Sequence, residues 1–158
     1  MNAVWRAHDA TSQALFALAG VALITATGLY LFEVTARYIF NAPTTWSNEA
    51  VQYCLAIIVF GALPEATRGL AHVAIDIVPT SLPPRIAGPL MRFNAALASV
   101  ACGASAWIAT REALRQFDRG LMTNAAHPIP RWWITAIIAF GLASAALHFL
   151  RHAADRAR

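Results

Sequence analysis

The residues of this chain able to do chemistry are few, and they cluster at the edges of apolar stretches. Glu33 closes one such stretch and Glu49 opens the next, so the turn between them would bring two carboxylates to one end of a helical pair. Burying a charge in an apolar medium is costly unless something demands it, which makes these carboxylates the first candidates for an ion or proton site. The bland reading is interfacial solvation. Glu33 stands one helical turn from Arg37, which can neutralise it, and Glu49 falls near a helix N-terminus, where the dipole favours negative charge. His72 and Asp76 are four apart, a spacing that puts them on one face of a helix or a strand and permits a hydrogen-bonded pair. A metal would need a third and fourth ligand that this segment does not offer.

His127, His148 and His152 raise the question of haem, which imidazoles from two helices can ligate across a bundle. Their placement argues against it, since only His148 lies in an apolar stretch. Cys54 and Cys102 sit within apolar segments, where a thiol behaves as a small hydrophobe, and their spacing matches no disulfide or metal framework. There is no nucleophile elbow or phosphate loop. The expectation is a chain with no enzymatic activity and no cofactor.

The elements that must hold these residues are four apolar stretches: Thr11 to Phe32, Ala50 to Pro64, Phe93 to Thr110 and Trp132 to Leu150. A hydrocarbon core roughly 30 Å thick takes about 20 helical residues to cross. Hydrophobic residues make up 58% of the chain and charged residues 13%, with a mean hydropathy of +0.52, whereas a soluble domain carries about a quarter charged. This predicts an all-α integral membrane protein, one four-helix membrane domain over 1–158, with spans near 11–36, 46–66, 89–112 and 131–150. Asp9, Thr11 and Ser12 are good residues for the start of the first helix. The second span reaches membrane length only if Trp46, Ser47, Asn48 and Glu49 form its first turn, with Pro64 near its end; Asn41, Ala42 and Pro43 make the preceding turn. Trp132 and Trp133 form an aromatic belt where the last span begins.

An interfacial middle loop, Glu65 to Arg85, is apolar and punctuated by Gly69, Pro83 and Pro84. Arg111, Arg115 and Arg119 share one helical face, so the third helix is expected to continue past the membrane or to lie along its surface as an amphipathic extension. Small residues recur at four-residue spacing along that span, Ala95, Ser99 and Gly103 on one face and Ala98, Cys102 and Ala106 beside it, which lets helix backbones approach.

The net charge of +4 is carried by arginine alone. These arginines flank apolar spans instead of forming a basic patch, which fits lipid headgroups and excludes nucleic acid as partner. With both termini inside, Arg6, Arg68, Arg85, Arg92, Arg151, Arg156 and Arg158 are cytoplasmic, against Arg37, Arg111, Arg115, Arg119 and Arg131 outside, so the bias favours cytoplasmic termini. The first span exceeds the apolar region of a signal peptide and is expected to remain in the mature protein.

Several segments together resemble the small membrane subunit, the DctQ-like component, of tripartite ATP-independent periplasmic (TRAP) transporters. Arg37, Tyr38, Ile39, Phe40 and Asn41 are similar to that family's arginine-tyrosine-x-phenylalanine-asparagine segment after the first helix, with Trp46 and Glu49 opening the second at the family's distance. Gly69, His72 and Asp76 resemble its glycine-histidine-aspartate loop, although Leu70 and Ala71 lengthen the glycine-to-histidine gap. Thr123, Pro130 and Trp132 resemble the threonine and proline-x-tryptophan that lead into the last helix. The resemblance implies a multi-pass protein of the bacterial inner membrane, part of a sodium-coupled importer of organic anions such as C4-dicarboxylates. Its implied partners are a large membrane subunit, which holds the ion and substrate sites, and a periplasmic solute-binding protein. Within that frame Trp46 and Glu49 would fix the first turn of span two, and His72 and Asp76 would order the middle loop against the large subunit or the headgroups.

The competing reading is a self-contained four-helix multidrug exporter that exchanges protons for cations at a membrane carboxylate. Glu33 would have to be that group, yet it lies at the end of its span beside Arg37, which repels a cationic drug.

Overall fold

The computed structural model describes residues 3–69, 84–125 and 127–154. Within them are four helices: α1 (Ala3–Tyr38), α2 (Ser47–Arg68), α3 (Pro84–Asp118) and α4 (Arg131–Ala154). Each is long and apolar enough to cross a membrane. Large apolar side chains such as Ile24, Leu31, Val100 and Trp107 face outward, while the small interior is built mainly from alanine, serine and glycine. That inversion of a soluble protein's surface is what a lipid solvent selects.

The helices pack in the order α1, α2, α4, α3, with α2 and α4 in the middle. Gly61 of α2 lies against the backbone of Leu15 and the side chain of Ala19 on α1. On its other side α2 meets α4 at a closer contact: a Cβ placed on Gly141 would stand 2.2 Å from the carbonyl oxygen of Phe60. Pro64 is the cause of the vacancy at that oxygen. Four residues after Phe60 and inside α2, it has no N–H to donate back, so the Phe60 carbonyl is released from the helix ladder and meets the glycine of the next helix. Between α4 and α3, Ser99 donates to the carbonyl of Ala146 at 2.9 Å, so the stripe containing Ala95 and Ser99 does face a neighbouring helix.

Several boundaries differ from expectation. Asp9, Thr11 and Ser12 do not start α1; the helix begins at Ala3, and both hydroxyls bond back to the carbonyls of Ala7 and His8 within it. The first turns persist because His8 and Asp9 reach across to α4, as described below. The middle loop is shorter than its composition suggested, as Glu65 to Arg68 complete α2 and Pro84 and Arg85 open α3, proline being well suited to a first helical position. The arginine-bearing end of α3 is a direct continuation of the helix through Asp118.

The α3 end is closed by Gly120 at φ 58°, with Leu121 N–H bonding to Gln116 O at 3.0 Å and Gly120 N–H to Phe117 O at 3.1 Å. This is the paired closure that a left-handed residue after a helix allows. At the end of α1 the left-handed residue is Asn41, φ 50°, and Ala42 N–H returns to Ala36 O at 3.0 Å.

Candidate functional site

Two polar clusters mark the two ends of the bundle. The first lies at the α1–α2 turn. Glu33 is 4% exposed, so it is not the solvated interfacial carboxylate that its position suggested. Arg37 reaches back one turn to donate to its Oε1 through Nη2 at 2.6 Å and Nε at 3.2 Å. Its Oε2 accepts from the Thr44 backbone N–H at 3.1 Å, from the Thr44 hydroxyl and from Ser47 Oγ at 2.8 Å. Ser47 is the first residue of α2, so the carboxylate also stands at a helix N-terminus. Trp46, in the N-cap position, supplies no side-chain cap and instead lies against Phe32, ring centroids 6.1 Å apart. The left-handed Asn41 folds the chain back so that Thr44 and Ser47 can meet Glu33.

Beside this turn lies the α3–α4 connection. Thr123 N–H donates to Ile129 O at 2.9 Å, and Thr123 Oγ1 accepts from Ile129 N–H at 3.0 Å. Arg131 N–H bonds to Leu121 O at 3.0 Å, and Met122 and Pro130 form a one-rung antiparallel bridge. Tyr53 of α2 brings its hydroxyl to 3.3 Å from Thr123 Oγ1 and so ties this loop to α2. A cavity of about 340 Å³ opens between them, lined by Trp46, Glu49, Ala50, Tyr53, His127 and Ile129.

The residues singled out from the sequence thus divide. Arg37 and Asn41 shape the α1–α2 turn, Trp46 and Glu49 line the cavity, and Thr123 and Pro130 build the opposing loop. Trp132 stands apart from the cavity, packed edge-on against Phe117 at 5.5 Å on the α3 side. Tyr38 and Phe40, 77% and 71% exposed, point away from the bundle. Gly69 caps α2, its N–H bonding to Glu65 O at 3.0 Å. His72 and Asp76 fall outside the described residues.

The second cluster, at the opposite end, was missed by sequence reasoning. There Ser12 and His148, and His8 and Ser144, hydrogen-bond between α1 and α4, Arg151 faces Asp9 at 3.3 Å, and His152 Nε2 lies 3.1 Å from Thr67 O on α2. His148 is 1% exposed. It and His127 therefore stand at opposite ends, which removes the geometry for a shared haem between them. A polar triplet in two first turns, His8, Asp9 and Ser12, was the available signal, but nothing local says that its partners lie on the last helix.

Neither the curated proteins nor the solved structures compared with the chain give a match. A family profile does: tripartite ATP-independent periplasmic transporters, DctQ component, matching residues 26–158.

Proposed function

The chain belongs to the DctQ component family of TRAP transporters, and from that membership we propose that it is the small scaffold subunit of a sodium-coupled importer of organic anions, C4-dicarboxylates or other carboxylate-type solutes. In this reading it sits in the bacterial inner membrane with cytoplasmic termini and packs on the static part of a large membrane subunit. That subunit holds the ion and solute sites and receives cargo from a periplasmic solute-binding protein.

The observation that carries the scaffold role is the fate of Glu33. Among the described residues it is the buried carboxylate, and both its oxygens are engaged by Arg37, Thr44 and Ser47. A group so committed joins α1 to α2; it is not free to exchange protons for a cation, as the exporter reading requires. The helices are also continuous through their apolar centres, without the broken segments around which transport sites are commonly built. The exposed Tyr38 and Phe40, next to the Glu33 network, support a surface for the large subunit at the α1–α2 turn. His72 and Asp76 are assigned the ordering of the middle loop against that subunit or the headgroups.

The experiment is uptake into proteoliposomes holding the large subunit, with and without this chain, supplied with the binding protein, a sodium gradient and labelled dicarboxylate. Uptake that requires both membrane chains supports the reading; uptake by the large subunit alone at the same rate removes it. Drug resistance conferred by this chain alone, and abolished by Glu33→Gln, would establish the exporter instead. Asp76→Ala should weaken co-purification of the two membrane chains, and an undiminished complex would end the role given to that residue.

A further inference from the structure

At the chain-end face, α1 and α4 are joined by two imidazole–hydroxyl bonds in opposite sense. His8 Nε2 lies 2.9 Å from Ser144 Oγ, and His148 Nε2 lies 2.9 Å from Ser12 Oγ. The two rings face one another at 4.3 Å between centroids. The direction of the second bond follows from its surroundings. The Ser12 hydroxyl proton has an acceptor in the carbonyl of His8 at 3.1 Å, and with the proton placed there Ser12 Oγ accepts from His148 Nε2, which then carries the hydrogen. A neutral imidazole has a single N–H, which leaves Nδ1 of His148 with its in-plane lone pair.

His8 is in a related condition. Its Nε2 is held by Ser144, and its Nδ1 is buried with no hydrogen-bond partner. Buried polar atoms are rarely left so, and this nitrogen is open to a water or an ion. The adjacent Asp9 carboxylate faces Arg151 at 3.3 and 3.5 Å, longer than the roughly 2.7–2.9 Å of a close charge-assisted bond. One donor atom from each of His8, Asp9 and His148 lies within 4.8 Å of the other two.

We propose that His8, Asp9 and His148 form a binding site for a divalent transition-metal ion of the zinc class, clasping the first helix to the last. Two imidazole nitrogens and one carboxylate are a donor set that zinc and cobalt take readily, whereas magnesium and calcium prefer oxygen alone. Both histidines are oriented by a hydroxyl on the ring nitrogen away from the metal, the arrangement that fixes the tautomer of metal-bound imidazoles. Bonds of about 2.0–2.1 Å require the donors to draw together. That closure includes a turn of the Asp9 carboxylate from Arg151 towards the rings and a small approach of the two imidazoles. Arg151 is not stranded by that movement, because its guanidinium already lies 5.3 Å from the ring centre of Trp5. Asp9 and Arg151 are partly exposed, which leaves an aqueous approach. His8, Asp9 and Ser12 precede the segment matched by the family, residues 26–158, while Ser144 and His148 lie within it, and metal binding by the purified chain is read without any transport measurement.

The test uses the full chain, purified without a polyhistidine tag and freed of metal by a chelator, then titrated with Zn²⁺ and with Co²⁺. One equivalent of Zn²⁺ should bind and raise the unfolding temperature, and Co²⁺ should give the visible d–d absorption of a nitrogen-ligated site. His8→Ala should abolish both, Asp9→Asn should weaken binding about tenfold or more, and Ser144→Ala about tenfold. His127→Ala, at the other end of the bundle, should leave them unchanged. Folded wild-type chain that binds no Zn²⁺, or binding that survives in both His8→Ala and Asp9→Asn, overturns the proposal.

Discussion

Gly141 on α4 abuts the carbonyl of Phe60 on α2, the one that Pro64 leaves without a helical hydrogen bond, so closely that a methyl group on its Cα would stand 2.2 Å from the oxygen. A proline that would weaken an isolated helix here creates the surface on which the next helix seats, and a residue without a side chain is what lets the two backbones meet there. The pair ties the two central helices of the array together at their backbones.

Gly141→Ala should therefore destabilise the bundle by about 1–3 kcal/mol, the usual cost of overpacking where backbone cannot yield. Gly103 on α3 has nothing within 4 Å of an added Cβ. Gly103→Ala should be neutral or stabilising by up to about 1 kcal/mol from helix propensity. Thermal unfolding of both variants in one detergent checks the contrast, and equal losses would contradict the contact.

Glu33→Gln should lower the unfolding temperature clearly more than Glu112→Gln. The amide keeps the shape of the buried side chain but loses the charge facing Arg37, and its NH₂ group must stand among donors from Thr44 and Ser47. Glu112 pairs with Arg115 on an exposed face, where such pairs contribute little. Indistinguishable shifts for the two variants would show that the α1–α2 turn does not depend on the network.

Thr123→Val should cost about 1–3 kcal/mol, since it strands the Ile129 N–H and deprives Tyr53 of its partner, while Thr123→Ser should restore most of the loss. Hydrogen exchange at the Ile129 amide reads the effect directly. Fast exchange in the valine variant and slow exchange in the serine variant is the expected pattern.

With Cys54 and Cys102 replaced by alanine, a cysteine at Asn124 should react with an impermeant thiol reagent from the periplasmic side of intact cells. One at Arg6 should react only after the inner membrane is opened. Both positions are exposed, and they lie on opposite ends of the bundle. The reverse labelling pattern would invert the orientation that the arginine distribution favours.

How far the sequence could be read is clearest residue by residue. Four spans were legible because apolar runs of membrane length admit few other structures, and the Glu33–Arg37 pair because a four-residue spacing on a helix is a contact by construction. The rest of the Glu33 network was not, since Thr44 and Ser47 reach it only through the left-handed turn at Asn41, whose direction is not encoded in periodicity. Gly141 reads as one small residue among many in an apolar helix; what distinguishes it is Pro64 on another helix. His8 escaped notice for the same reason, its partner Ser144 being 136 positions away. In a lipid solvent the apolar pattern no longer separates inside from outside, so only polar links and glycine contacts tell which faces meet.

Those 136-residue links between α1 and α4 also bear on how the chain is made. Translation delivers α1 to the bilayer first, and its His8 and Ser12 must wait for the carboxy-terminal helix before either finds its mate. Until Ser144 arrives, the His8 imidazole at the membrane border lacks the hydroxyl that holds it in the finished bundle, whereas Ser12 already has the carbonyl of His8 as a partner within its own helix.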